Sequence, residues 1–285
     1  MGDMLKRLYV FVTALLASAV IVGNEPMAEQ FRSTPWQMGF QEPRSPSAER
    51  IFAFHDLLLW IEGAIVVFVL ALMIYIIIKF NAKSNPVPST TTHNTLLEVV
   101  WTVVPILILV FISVPSLKLL YFTDRTANPE LTIKVTGNQW YWTYEYPDNN
   151  EIEFDSVILS DDELEEGQPR MLSVDNALVL PVNTNIRFIL GTNDVIHNFA
   201  MPALGLKLDT TPGRVNETWV SINDEGMYYG MCSELCGVNH GFMPISIEAV
   251  SKEAFNEWLV DAEEEFGAND SDEDETVKLA AAVSQ

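Results

Sequence analysis

The chain has 285 residues, 48% of them hydrophobic, and sets 16 basic against 39 acidic side chains for a formal net charge of −23 at pH 7. A surface of that sign excludes nucleic acid as a partner and favours cationic ones. The only cysteines, Cys232 and Cys236, are too few and too close for the disulfide framework of a small secreted fold, while the length allows a membrane part plus one or two small globular units.

The first segment carries Lys6 and Arg7, then the apolar run Leu8 to Val22, then small and polar residues around Pro26-Met27-Ala28. That order predicts a cleavable secretory signal peptide over 1–28, because the run is too short for a comfortable membrane span. Residues 29–55 hold several Pro, Gln, Arg and Glu without a sustained apolar period, which predicts a surface arm. Two long apolar stretches follow, at about 57–80 and 96–122, each matching the ~20 residues that a helix needs to cross the hydrocarbon core. Pro105 and Pro115 inside the second are tolerated in a span, since neighbouring helices and water satisfy the freed carbonyls. The short polar loop between the stretches predicts an antiparallel transmembrane hairpin over 56–122. With the amino end outside after cleavage, two crossings return the chain outside, so everything beyond about Thr123 faces an oxidising compartment.

The next part, 123–266, alternates with the period of strands. The runs starting at Leu131, Gln139, Ala177, Ile186, Glu217, Met227 and Pro244 are short, β-branched or aromatic, and bounded by Gly, Pro, Asn and Asp, which predicts an all-β sandwich or Greek-key barrel. Ser251 is a good N-cap for a closing helix with Phe255, Trp258 and Leu259 on one side. The acidic segment 267–285 reads as a disordered tail.

The chemistry concentrates in Cys232-Ser-Glu-Leu-Cys236-Gly-Val-Asn-His240-Gly-Phe-Met243, a loop between two strands, with a further imidazole at His197. Two cysteines four apart in an exported domain ordinarily read as a disulfide. Structural zinc loops would pair C-x2-4-C with H-x3-5-H, which is absent. Thiolate, imidazole and thioether together form a soft donor set that selects copper over magnesium, calcium or manganese. A mononuclear blue-copper site uses one cysteine and leaves the other surplus, whereas two on one loop can share their sulfurs between two copper ions. A second feature is Trp140-Tyr-Trp142-Thr-Tyr144-Glu145-Tyr146, where alternation puts the even-numbered aromatics on one face. Core packing suits Trp142; an exposed tryptophan beside a metal equally suits contact with an electron donor.

At these residues the chain resembles cytochrome c oxidase subunit II. The copper loop with His197, the segment Gly137-Asn138-Gln139-Trp140-Tyr141-Trp142, Thr211-Pro212-Gly213-Arg214 and the arm Pro35 to Gln41 carry the likeness. The resemblance implies a cupredoxin-like Greek-key barrel with a dinuclear copper A centre, bound by the side chains of His197, Cys232, Cys236, His240 and Met243 and by the carbonyl of Glu234. It implies that the Glu234 carboxylate also serves a magnesium or manganese ion shared with the catalytic subunit I, and that Trp140 receives the electron. Gln139, Glu145, Asp175, Asp194 and Asp209 would dock cytochrome c, and Glu98 would stand at the mouth of a proton path. The implied setting is a bacterial inner membrane with the copper domain in the periplasm, and the implied partners are subunit I with its haem, the other oxidase subunits, cytochrome c and the lipid bilayer. No C-x-x-C-H haem-attachment motif is present, so the donor is a separate protein. The rivals are a quinol oxidase subunit, whose relatives lack these copper ligands, a membrane-tethered copper carrier or chaperone, and a metal-free, disulfide-closed binding module.

Overall fold

The computed structural model describes residues 30–126, 128–150 and 152–267. The expected signal peptide and nearly all of the expected acidic tail lie outside the described residues. Two long helices come first, α1 (Pro46–Lys79) and α2 (Thr95–Asp124). Each starts at a polar cap: Ser45 Oγ accepts from Ala48 N at 3.0 Å and Asn94 Oδ1 from Leu97 N at 3.2 Å, satisfying first-turn donors that have no partner within the helix. Pro105 and Pro115 sit inside α2 without ending it, as expected of a span. The most apolar windows of both helices bury nothing inside the protein, and both are long and apolar enough to cross a membrane.

At 1.5 Å per residue α1 extends for ~50 Å, well beyond the ~30 Å hydrocarbon core. It therefore begins earlier than its apolar stretch, and its first turns are a contact with the β domain, so the expected arm is partly helical and docked. Ser47 and Ala48 are buried. Ser45 Oγ donates to Leu204 O at 2.7 Å, Arg44 N donates to Ala203 O at 2.9 Å, and Arg44 O accepts from Asn223 N at 3.0 Å. Gly205, at φ +67, lies so close that a Cβ there would come within 2.9 Å of the Ala48 backbone. A glycine is needed at this position both for its dihedral and for the close approach. At the barrel end of α2, Trp219 Nε1 donates to Phe122 O at 3.2 Å and stacks edge-on against its ring.

Eleven strands build the β domain: β1 (Gln30–Phe31), β2 (Leu131–Asn138), β3 (Tyr141–Tyr146), β4 (Ile152–Ser156), β5 (Leu178–Pro181), β6 (Ile186–Thr192), β7 (His197–Met201), β8 (Leu206–Thr210), β9 (Asn216–Val220), β10 (Gly226–Cys232) and β11 (Pro244–Val250). One sheet runs β5-β11-β10-β7-β8, with β1 added to β10, and the other runs β4-β3-β2-β6-β9. Their inner faces form the core, and the closing helix α3 (Lys252–Phe266) lays Phe255 and Trp258 against Tyr146. The expected alternation in β3 is present: Trp142, Tyr144 and Tyr146 are fully buried, while Tyr141, Thr143 and Glu145 are only partly covered.

The four strands not anticipated are β1, β4, β7 and β8. β7 is buried along its whole length and so shows no alternation, and its register is set by pairing with β8 on one side and with the end of β10 on the other. That last pairing is tight. A Cβ on Gly230 would fall 2.1 Å from Ala200 O, inside any allowed contact with rigid backbone. Gly230→Ala is expected to destabilise the β domain by about 1–3 kcal/mol or more, seen as a lower midpoint in urea unfolding of the full chain; a wild-type midpoint would show that β7 and β10 can separate freely.

Candidate metal centre

The loop that follows β10 is anchored at its root. Cys232 N donates to Met243 O at 3.1 Å, and Ser233 N donates to Asn198 O at 3.1 Å, tying the loop to β11 and to β7 together. Those ties bring His197, remote in sequence, to the two cysteines. A ring nitrogen of His197 and both cysteine sulfurs lie within 4.8 Å of one another. The sulfurs are 3.8 Å apart, well beyond the ~2.05 Å of a disulfide bond. Both cysteines are free and buried. His240 Nδ1 lies 3.5 Å from Cys236 Sγ, Met243 Sδ 3.6 Å from the same sulfur, and the Glu234 carbonyl 3.4 Å from Cys232 Sγ. Sulfurs this close can both reach one metal ion at bonds of ~2.3 Å.

The donor set fits copper on the structure's own terms. His197 is fully buried, its Nε2 is 2.8 Å from Asp194 Oδ1, and its Nδ1 has no hydrogen-bond partner. A buried polar atom left in this state costs about 1–3 kcal/mol unless something coordinates it. Burial alone would lower the imidazole pKa, but contacts with Cys232 and Asp194 outweigh it and raise the value. Burial likewise opposes ionisation of Cys232, yet the adjacent His197 imidazole and the Asn198 and Glu234 backbone bring its thiol below the ordinary value, while burial and the neighbouring Cys232 push Cys236 up. A cation between the sulfurs would favour the thiolate form of both cysteines.

A hydrogen-bonded shell supports this cluster, and much of it was not anticipated. Asp194, expected at a docking surface, accepts from Gln139 N at 2.7 Å, Thr192 Oγ1 at 2.9 Å and Val195 N at 2.5 Å besides facing His197. Those bonds overcome its partial burial and keep its carboxyl below the usual range. It therefore fixes which imidazole nitrogen faces the sulfurs. Gly137 leaves room for that ring, since a Cβ there would meet His197 Cδ2 at 2.9 Å. Gly237, at φ +124, does the same for the indole of Trp140, whose Cζ2 a Cβ would approach to 3.0 Å. The signals were faint: an aspartate three residues before the histidine and a glycine directly after the second cysteine.

The remaining expected residues divide by location. Trp140 is half-buried, and its Nε1 donates to Cys236 O at 3.1 Å, beside Gln139 Nε2, which donates to the same carbonyl at 2.8 Å. Glu145 pairs with Lys134, Asp209 accepts from Asn198 Nδ2 at 2.6 Å, and Asp175 accepts from Val157 N at 2.7 Å. The side chain of Glu234 is exposed. Glu98 lies in the first turn of α2, at the end of the hairpin away from the β domain, ~39 Å along that helix from Asp124.

Family models match most of the chain: "Cytochrome C oxidase subunit II, transmembrane domain" over residues 33–119 and "Cytochrome C oxidase subunit II, periplasmic domain" over residues 131–250. The chain belongs to the cytochrome c oxidase subunit II family. A probable cytochrome c oxidase subunit 2 of Rickettsia bellii is 51% identical over 97% of this chain and 98% of its own length. The subunit 2 of Phytophthora megasperma is 48% identical over 79% of the chain and 86% of its own. The solved periplasmic domain of subunit II from Bradyrhizobium japonicum is 50% identical, with a TM-score of 0.47 covering 50% of this chain and 100% of that one. In family terms the β domain is the cupredoxin-like periplasmic domain, the two apolar helices are the membrane part, and the chain has its role within an oxidoreductase complex. Asp194→Ala, which frees His197 Nε2, is expected to weaken copper binding by roughly 10–100-fold, measured by competition with a copper chelator; unchanged affinity would make Asp194 a surface group only.

Proposed function

We propose that this subunit accepts electrons from cytochrome c at a dinuclear copper centre and passes them to haem in subunit I, where oxygen is reduced to water and protons are translocated. The observation that carries this reading is the convergence of His197, Cys232, Cys236, His240, Met243 and the Glu234 carbonyl on one buried point with both sulfurs free. Two copper ions held there would supply a one-electron relay with its charge spread over both metals. His197, His240, Cys232, Cys236, Met243 and the Glu234 carbonyl are the groups that would hold them. The buried, hydrogen-bonded loop holds these donors nearly fixed, which keeps reorganisation on electron transfer small.

Trp140 is the receiving group. Its indole touches the loop through the Cys236 carbonyl, giving a short bonded route from the surface to the residue that carries one of the two sulfurs. Leu235 and Val238 are highly exposed on the same loop and add an apolar contact face. Gln139, Glu145, Asp175, Asp194 and Asp209 supply the polar and acidic surroundings for a basic cytochrome c, whose association they would speed at low salt. The exposed Glu234 carboxylate is available to a magnesium or manganese ion at the border with subunit I, and Glu98 opens the proton path on the far side. This arrangement suits a bacterial inner membrane with the β domain in the periplasm, bound to subunit I and the other oxidase subunits.

Burial weighs against a copper carrier: Cys232, Cys236 and Met243 expose 5%, 3% and 1% of their surface, and a hand-over site needs reachable donors. Electron paramagnetic resonance of the full chain loaded with copper is the test. Two coppers per chain sharing one unpaired electron, with the signal lost in Cys232→Ser, are expected; one copper, zinc or an oxidised cysteine pair would refute the dinuclear reading. Trp140→Ala is expected to slow electron uptake from cytochrome c severely in stopped-flow measurements at unchanged copper content, and unaltered kinetics would leave Trp140 a packing residue.

A further inference from the structure

Far from the metal loop, where the helical hairpin meets the β domain, the chain gathers positive charge against its overall sign. Arg50 of α1, Lys118 of α2 and Arg125 just beyond it line one cavity of about 520 Å3 together with Tyr121, Phe122 and Trp219. The guanidinium carbon of Arg50 lies over the Phe122 ring, 3.5 Å from its centroid, so it is held in place without an anion. No carboxylate among the described residues forms an ion pair with any of the three cations, although the chain carries −23 overall. Of the acidic groups nearby, Glu49 accepts from Asn223, Glu130 pairs with Lys252, Glu217 pairs with Arg187, and Asp124 lines a separate cavity with Lys207.

The cavity does not stop at the cations. Arg50 and Lys118 also head a second cavity, of about 320 Å3, walled by Ala53, Phe54, Leu57 and Pro115 and otherwise apolar. A third, lined by Ile61 and Phe111 among others, continues between the same two helices. On α1 these positions recur every three or four residues, which places them on one face. From Arg50 to Ile61 the seam descends ~16 Å, about half of the ~30 Å hydrocarbon core. A cationic, aromatic mouth at the interface above an apolar groove one leaflet deep is the shape of a phospholipid, not of a free anion.

We propose that Arg50, Lys118 and Arg125 bind the phosphate of one anionic phospholipid, whose acyl chain lies in the groove between α1 and α2. Guanidinium groups match phosphate oxygens in fork geometry, and tyrosine and tryptophan favour this depth of the bilayer. Because the cavity is built from both helices and from the barrel residue Trp219, the lipid also braces the barrel on the hairpin.

The experiment takes the full-length chain, purified in detergent and exposed to equal amounts of phosphatidylglycerol and phosphatidylcholine, and identifies retained lipid by native mass spectrometry. Preferential retention of phosphatidylglycerol is expected, with apparent affinity falling roughly fivefold for each cation removed in Arg50→Gln and Lys118→Gln. Ala53→Phe, which fills the groove and leaves every cation in place, is expected to displace the lipid too, and it covers the case in which the charge variants fail to fold. Lys83→Gln, in the loop at the opposite end of the hairpin, is expected to retain it. Equal retention of both lipids, or retention unchanged in Arg50→Gln and Ala53→Phe, would overturn the proposal. Displacement of phosphatidylglycerol by soluble glycerol phosphate would assign the site to free phosphate esters. Absence of any retained lipid on the wild-type chain would give the groove to a neighbouring subunit instead.

Discussion

Two backbone hydrogen bonds at the root of one loop determine what the β domain can do. Cys232 N to Met243 O closes the hairpin between β10 and β11, and Ser233 N to Asn198 O fastens it to β7. The first brings Met243 back to the cysteines, and the second brings His197. With those fixed, three strands and the loop between two of them deliver their donors to one point. The close approach at Gly230 serves the same end, since the short pairing of β10 with β7 leaves no space for even a methyl group.

The cluster sets polar and ionisable atoms close together in the core. His197 Nδ1 is orphaned in the core, and two sulfurs of unequal acidity share a cramped space. Surrounding packing holds them in place: Trp142 meets His197 and Phe199 edge-on, Gly137 accommodates the imidazole, and the four contacts of Asp194 lock its orientation. Such a site is preorganised for a cation and unsuited to releasing one. Electron transfer gains from the same rigidity, which links the burial of the core directly to the reading of this chain as a relay.

A second set of contacts fixes where the β domain stands relative to the two apolar helices. The first turns of α1 are bound to the barrel through Ser45, Ala48 and Gly205, and the end of α2 through Phe122 and Trp219. Hairpin and barrel therefore share two joints rather than one flexible linker, which fixes how the β domain sits on the hairpin. The cationic cavity at one of these joints places a lipid headgroup where it would stiffen the same connection.

Much of this was legible in the sequence, because the strongest signals are local. Twenty-odd apolar residues have to become a span, alternating residues have to become half-buried strands, and a Cys-x3-Cys-x3-His-x2-Met loop carries soft donors at spacings that chain stiffness alone brings near one another. The membrane hairpin and the all-β class followed from these, and the loop stood out for its soft side chains, while the family came from the resemblance. What the tertiary structure alone decided is non-local. β7 lies between two partners and is buried on both faces, so its sequence gives no period; the early start of α1 depends on a glycine more than 150 residues away; and Asp194 became the support of His197 because a turn aims its carboxylate inward. The sequence by itself determined which atoms could bind and which segments could cross a membrane, since propensity and donor chemistry belong to single residues and their neighbours. Only the packed structure decided which atoms meet, since that depends on the register of strands that are far apart in the chain.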